Sequence, residues 1–121
     1  MQFPLKHFKL SEFDSPDAPG SGAKMQPKFL QMLDNARAIA GVPFVVTSGY
    51  RTEAHNKKVG GVEGSSHCQG WAADMAASSG TIKFQIVNAL LKAGFTRIGV
   101  ASDFIHADCD PTKPAQVIWT Y

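Results

Sequence analysis

The sequence predicts an α+β domain in which a small antiparallel sheet carries helices packed mainly on one face. Two segments, 24–40 and 82–93, have apolar residues at helical spacing. Three strand candidates then follow one another with short connections, which favours antiparallel pairing; they are residues 95–100, 104–109 and 116–121. A length of 121 residues and a hydrophobic fraction of 44% fit one globular unit, so we expect residues 1–121 to form a single domain.

The first half of the chain is expected to contain one long helix. Residues 1–13 should form a short strand or an extended arm that docks on the domain. Residues 14–23 contain two prolines and two glycines, which is typical of a loop. The helix at 24–40 tolerates a proline in its first turn, and a glycine stops it. A short, fully buried strand is expected next, at 44–47.

The middle of the chain is expected to contain a glycine-rich loop between two regular elements. Residues 52–58 should form a turn of helix, and the loop follows at 59–70. Residues 71–76 alternate well enough to be a strand. Residues 78–81 then supply a turn and an N-cap for the helix at 82–93.

Charge and hydropathy exclude several classes of protein. Twelve Lys+Arg residues face ten Asp+Glu residues, and the basic residues are scattered, so we expect no nucleic-acid partner. No apolar run reaches the roughly 18 residues that span a bilayer, so we expect no membrane span. The first residues lack the features of a secretory signal, which leaves the compartment open. Either the protein acts in the cytoplasm, or it leaves by a route that this sequence does not encode.

Two histidines and one aspartate form the sharpest chemical signal in the chain. His67 ends the glycine-rich loop, Asp74 lies seven residues later in a strand, and Gly70 lets the chain turn between them. Pairing of two neighbouring strands would bring His106 beside Asp74. Two imidazoles and one carboxylate make a three-ligand zinc site with an open position, which is typical of catalytic zinc rather than structural zinc.

A catalytic site of this kind also needs a carboxylate as general base. Asp103, three residues before His106, is the best-placed candidate, although an aspartate there could instead start a turn. Asp108 is the rival. It lies two residues after His106 on the same face of a strand, so we interpret it as a partner that orients a ligand.

Two motifs resemble those of a known family. The pattern S-x-H-x-x-G-x-A-x-D resembles the zinc-binding motif of the zinc D-Ala-D-Ala carboxypeptidase family of metallopeptidases, peptidase family M15. The family's second motif has a carboxylate three residues before the last histidine ligand, as Asp103 precedes His106; many members carry glutamate there. Shorter resemblances to the small phage and bacterial members are the S-G-Y-R, L-S-E-F and W-x-Y segments, at 48–51, 10–13 and 119–121.

The resemblance implies a compact α+β fold of the D-Ala-D-Ala peptidase and hedgehog type, with one Zn²⁺ per chain. Its ligands would be His67, Asp74 and His106. It implies hydrolysis of peptide bonds in bacterial peptidoglycan stem peptides or cross-links, by a carboxypeptidase or an endopeptidase, with Asp103 as general base. Arg51 and Ser66 are the implied substrate-binding residues. We therefore expect peptidoglycan peptides as partners and a monomeric protein.

Two other functions remain open from the sequence. The same fold serves as a zinc-containing binding module without hydrolysis in the signalling domain of hedgehog proteins. Alternatively, Cys68 or Cys109 could serve with a histidine in a cysteine hydrolase. Whether these two cysteines pair as a disulfide or stay as free thiols is also open. A serine hydrolase is not expected, since the chain has no G-x-S-x-G motif.

Overall fold

A five-stranded sheet organises the computed structural model, which describes residues 5–121. Its spatial order is β1-β2-β4-β3-β5. The bounds are Val46–Ser48 for β1, Ala72–Ala76 for β2, Arg97–Val100 for β3, Phe104–Asp108 for β4 and Val117–Thr120 for β5. Neighbouring strands are antiparallel except β3 and β5, which are parallel. This confirms the α+β class and a sheet that is mainly antiparallel.

The parallel pairing of β5 with β3 differs from the antiparallel arrangement that the sequence predicts. The strands β3 and β4 form a hairpin, and β5 reverses direction again after β4. It then pairs on the far side of β3 instead of the far side of β4. A strand that skips its neighbour in this way runs parallel to the strand that it joins. The carboxyl-terminal strand is therefore one edge of the sheet.

Within residues 5–121, three α-helices accompany the sheet: α1 at Pro27–Ala40, α2 at Glu53–Lys58 and α3 at Gly80–Lys92. They confirm the three predicted helical segments to within a few residues. The α3 helix begins at an N-cap, where the Ser79 hydroxyl accepts a hydrogen bond from the Ile82 N–H at 3.2 Å. Helices α1 and α3 pack against each other, and α3 packs against β4. Within the described part of the chain, no helix is long and apolar enough to cross a membrane.

Two predicted elements near the amino end are different in the structure. Leu10–Phe13 forms a 3₁₀ helix instead of a strand, and residues 1–4 of the predicted arm lie outside the described residues. The first strand is shifted from 44–47 to Val46–Ser48 and is not fully buried, since Thr47 is exposed. The reason is its position: β1 is an edge strand that pairs only with β2.

The two faces of the sheet have different roles. Side chains alternate between faces along a strand. On β4, Ile105 and Ala107 belong to the core under the helices, so His106 and Asp108 lie on the opposite face. The core also contains side chains from both long helices and the neighbouring strands, among them Phe29, Leu33, Met75, Ile86, Leu90 and Ile98, and Phe95 from the segment before β3. The face of the sheet opposite the core is polar and is thus available for a functional site.

Candidate metal centre

His67, Asp74 and His106 meet on the polar face of the sheet. Asp74 on β2 and His106 on β4 are direct cross-strand partners. His67 lies in a 3₁₀ turn, Ser66–Gln69, that ends at Gly70 in the left-handed region at φ +77°. One nitrogen or oxygen atom from each of the three side chains lies within 4.8 Å of the others, and all three residues are buried. The structure therefore brings together the three residues that the sequence predicts as metal ligands.

The protonation of His67 follows from a backbone contact. Its Nδ1 lies 2.8 Å from the carbonyl oxygen of Gly49. Because a carbonyl oxygen can only accept a hydrogen bond, Nδ1 carries the proton in the neutral ring and donates it. The other nitrogen, Nε2, then has no proton and lies 3.4 Å from Oδ1 of Asp74. The contact with the S-G-Y-R segment thus leaves Nε2 of His67 with a free lone pair on the side of Asp74.

Two carboxylates hold His106, one at each ring nitrogen. Its Nδ1 lies 2.9 Å from Oδ1 of Asp74, and its Nε2 lies 2.7 Å from Oδ2 of Asp108. Arg97, opposite Asp108 on β3, donates from Nε to Oδ1 of Asp108 at 2.6 Å. A histidine that ligates a metal through one nitrogen commonly donates its other N–H to a carboxylate. The Asp108 contact therefore fits ligation of a metal by Nδ1 of His106.

These contacts also shift the pKa values of Asp74 and His106. Burial would raise the pKa of Asp74, but the hydrogen bond from His106 and the close contact with His67 outweigh burial and hold that pKa well below its usual range. Burial would lower the pKa of His106, but hydrogen bonds to Asp108 and Asp74 outweigh it and raise that pKa. Asp74 is therefore ionised and available as a ligand.

The donor set fits a zinc ion. Two imidazole nitrogens and one carboxylate oxygen are ligands that zinc prefers, and three protein ligands leave a position for water or substrate. The free lone pair of His67 and the ionised carboxylate of Asp74 supply two of these donors. His106 would supply the third donor, because a metal bound at Nδ1 would displace the proton there into solvent.

The cluster lies in the wall of a cavity of about 370 Å³. Three aromatic side chains line it, namely Phe104, Trp119 and Tyr121, together with the glycine-rich stretch at 59–62. Its cationic lining residues are Arg51, Arg97 and Lys113. A cavity of this size, with a few converging polar groups, is typical of a small-ligand or peptide site.

Gly99 on β3 lets the aromatic side chains that line the cavity, here called the aromatic wall, pack close to the sheet. It pairs with His106 on one side and with Trp119 on the other. A β-carbon at Gly99 would lie 2.6 Å from Nε1 of Trp119 and 2.9 Å from the Tyr121 hydroxyl oxygen. The missing side chain lets the indole lie over β3, with its ring centroid 5.3 Å from that of His106. Trp119 therefore packs against the imidazole ring of His106 in the candidate metal centre.

Asp108 and Asp103, the two rival carboxylates, have different positions. Asp108 is buried and holds His106, as its interpretation as an orienting partner requires. Asp103 is exposed in the turn between β3 and β4 and is not among the residues that line the cavity. The base role of Asp103 therefore stays a prediction, and the exposed position of the residue adds no support for it.

Arg51 and Ser66 both line the cavity, and each already has protein partners. Arg51 donates from Nε to Ser48 and from Nη1 to Asn56, at 3.1 and 3.2 Å, and its Nη2 lies 3.5 Å from Oδ2 of Asp74. Ser66 donates from its hydroxyl to Oδ2 of Asp110 at 2.8 Å. Both residues therefore stabilise the site in addition to facing its contents.

Sequence reasoning did not identify Arg97 and Lys113 as site residues. Arg97 lies opposite Asp108 in the hairpin, so strand pairing could have indicated it. Lys113 follows β4 in an irregular segment, where no periodic pattern predicts its direction.

The two cysteines are free thiols in the structure. Burial raises the pKa of the Cys68 thiol and raises that of Cys109 to about 11. Neither residue is among those that line the cavity. Because the thiolate is the nucleophilic form, these environments argue against a cysteine hydrolase.

Comparison with known protein families gives one match. A family model described as Peptidase M15 matches residues 6–108, which include the three clustered residues and Asp108. Comparison with the curated proteins gives no match.

Proposed function

This chain belongs to the peptidase M15 family, whose members are zinc peptidases, and we propose that it hydrolyses peptide bonds in bacterial peptidoglycan. The bonds would lie in the stem peptides or in the cross-links between them, cut in carboxypeptidase or endopeptidase mode. The observation that carries the proposal is the convergence of His67, Asp74 and His106 in the wall of an open cavity. Residues 1–121 would act as one peptidase domain.

One zinc ion would be held by Nε2 of His67, Nδ1 of His106 and the carboxylate of Asp74. Zinc in such a site supplies a Lewis acid for the scissile carbonyl and activates water near neutral pH. The protein's contribution is to hold the donor atoms in place. The Gly49 carbonyl fixes the proton of His67, and Asp108 holds the ring of His106.

Arg51 is proposed to serve both the metal centre and the substrate. Its Nη2 beside Oδ2 of Asp74 holds that carboxylate towards the two histidines. Its remaining N–H groups are free to bind a carbonyl oxygen that becomes negative during hydrolysis, or a carboxylate of the peptide. Ser66 is proposed to bind the substrate, and its hydroxyl also donates to Asp110 and accepts from Lys113.

We propose that Asp108 positions His106 and that Asp103, which is exposed, has no catalytic role. Both oxygens of Asp108 are engaged, Oδ2 by His106 and Oδ1 by Arg97. Within residues 5–121, Asp74 and Asp108 are the only carboxylates that line the cavity. The general base predicted at Asp103 is therefore not part of the proposed site.

The proposal is tested by mass spectrometry of purified muropeptides incubated with the zinc-loaded protein. We expect new fragments in the presence of zinc, loss of the fragments after chelation, and their return when zinc is restored. His106→Ala should abolish both zinc binding and cleavage. His7→Ala is the matched control, because His7 is exposed and is not a cavity-lining residue.

Stoichiometric zinc binding without cleavage of any muropeptide would contradict the proposed hydrolysis. It would favour a binding module of the same fold.

A further inference from the structure

The three cations that line the cavity differ in how far they are neutralised. Arg51 has Asp74 within 3.5 Å, and Arg97 has Asp108 within 2.6 Å. The Nζ of Lys113 donates to the Ser66 hydroxyl at 2.8 Å. Within residues 5–121, its nearest carboxylate oxygen belongs to Asp110, at 3.9 Å, which is beyond hydrogen-bond distance. Lys113 is thus the cation of the cavity with the weakest carboxylate partner.

Asp110 attracts Lys113 electrostatically but accepts no hydrogen bond from it, because other groups donate to both of its oxygens. Its Oδ2 accepts from the Ser66 hydroxyl at 2.8 Å. Its Oδ1 accepts from the backbone N–H and the hydroxyl of Thr112, at 2.9 and 2.7 Å. An ammonium group has three N–H donors, and Ser66 takes one of them. The Lys113 side chain is 29% exposed, so the other two donors remain available to a ligand.

The segment that carries Lys113 is tied down at both ends. Asp110 is bonded to Ser66, the residue before the predicted ligand His67. The carbonyl of Pro114 accepts a hydrogen bond from Nη1 of Arg97 at 2.6 Å. The segment that carries the ammonium group is therefore hydrogen-bonded both to the turn that carries His67 and to Arg97, which holds Asp108. Such a position is preorganised to bind a group of the substrate.

The charge of the lining also favours an anionic ligand. Three cations face two carboxylates in the cavity, before a zinc ion adds two further positive charges. A concave site with an excess of one charge attracts ligands of the opposite charge. A carboxylate satisfies both the charge and the free N–H donors of Lys113.

We propose that Lys113 forms a second anion-binding point, separate from Arg51, and that the substrates are peptides with a free carboxylate near the bond that is cut. This inference rests on the proposed peptidase function and specifies its substrate class. Lys113 is a specificity-determining residue in this scheme. It selects peptides that carry the carboxylate over otherwise identical peptides that carry an amide.

The test uses one synthetic stem pentapeptide, L-Ala-γ-D-Glu-L-Lys-D-Ala-D-Ala, and two amidated analogues. One analogue has an amide at the glutamyl α-carboxyl group and the other at the carboxyl terminus. We expect the zinc-loaded wild type to have a KM about tenfold lower for the free acid than for one of the analogues. Lys113→Met should remove this preference by raising the KM for the free acid towards that for the analogue, and Lys113→Arg should keep most of the preference.

Lys92→Met is the matched control, since Lys92 is exposed on α3 and is not among the cavity-lining residues. It should retain the wild-type preference. If Lys113→Met keeps the preference for the acid, or lowers kcat equally on all three peptides, the proposed role of Lys113 is wrong. The second result would indicate a purely structural contribution through Ser66.

A binding measurement separates this inference from the proposed function. The affinity of the metal-free protein for the same three peptides is measured by calorimetry, where no turnover occurs. Tighter binding of the free acid by wild type, lost in Lys113→Met, supports the anion-binding point even if no muropeptide is cleaved. Equal affinity for acid and amide in the wild-type protein overturns it, whatever the outcome of the cleavage assay.

Discussion

Asp108 accepts a hydrogen bond from Nε2 of His106 at 2.7 Å, and this contact decides which nitrogen of the imidazole faces Asp74. Both residues lie on β4, two positions apart, so they share one face of the strand. Arg97 holds the other oxygen of Asp108 from the neighbouring strand. The orientation of His106, a candidate metal ligand, is therefore set by the hairpin of β3 and β4 itself.

Replacing this carboxylate should weaken metal binding. Asp108→Asn keeps the size of the side chain but removes the charge that stabilises the N–H of His106 and pairs with Arg97. We expect zinc affinity to fall roughly 10- to 100-fold. Competition with a chromogenic chelator measures the affinity, and circular dichroism checks that the variant is folded. Unchanged zinc affinity in the folded variant would show that Asp108 does not position His106.

Removing the exposed carboxylate in the adjacent turn should have little effect. Because Asp103 is exposed and does not line the cavity, we expect Asp103→Asn to retain kcat within about twofold, the range of a surface substitution. Steady-state kinetics on a muropeptide substrate measure it, with zinc content determined in parallel. A loss of activity of several orders of magnitude at full zinc occupancy would restore Asp103 as the base.

A methyl group on β3 should disturb the aromatic wall. Gly99→Ala places a β-carbon against Trp119 and Tyr121, so we expect a loss of roughly 1–3 kcal/mol in the free energy of unfolding and a shift in tryptophan fluorescence. Denaturant titration measures the stability.

Gly80→Ala at the start of α3 is the control for this substitution. Nothing lies within 4 Å of its β-carbon position and its φ is not positive. We expect it to be neutral or slightly stabilising. Equal destabilisation by both substitutions would rule out a specific contact at Gly99.

Zinc should stabilise the folded chain. A ligand that binds the folded state alone adds about 2.7 kcal/mol when its free concentration is 100 times the Kd. We therefore expect the Tm to rise with zinc and to fall on chelation, with no zinc-dependent shift in His67→Ala. Calorimetry on the wild type and the variant measures it. A zinc-dependent shift of wild-type size in His67→Ala would place the metal elsewhere.

The Cys109 thiol should react slowly at neutral pH. Burial raises its pKa to about 11 from the ordinary value of 9.0, so the thiolate is scarce until the pH approaches that value. In a Cys68→Ser background, we expect the rate of alkylation by iodoacetamide to keep rising well above pH 9 in the folded protein. Unfolded protein should level off near the ordinary value. Rapid alkylation at pH 7 with loss of peptidase activity would revive the cysteine hydrolase.

The parts of the site that could be predicted from the sequence are those that follow from spacing. His67 and Asp74 are separated by a turn that a glycine allows, and His106 joins Asp74 by pairing of adjacent strands. The same reasoning placed Asp108 on the correct face, because two residues is one period of a strand. Asp103 is predicted from its place in a motif, and it precedes β4, so the period of the strand does not indicate the direction of its side chain.

The remaining parts depend on contacts between segments that are distant in the sequence. The carbonyl of Gly49 fixes the proton of His67 although 18 residues separate them. Lys113 reaches Ser66 across 47 residues, from a segment without regular structure. The parallel position of β5 depends on which edge of the hairpin was free, and composition does not encode that choice. Such features require the folded chain.

The edge position of β5 has a consequence for how the cavity exchanges its contents. This strand is bonded only to β3, and most of its residues are exposed, so its hydrogen bonds open at a lower free energy than those of the central strands. Trp119 belongs to β5, whereas Asp74 and His106 belong to the two strands that have neighbours on both sides. Fraying of the edge would swing the indole outward while the ligands keep their spacing. Exchange of the contents of the cavity would thereby leave the arrangement of the candidate metal ligands unchanged.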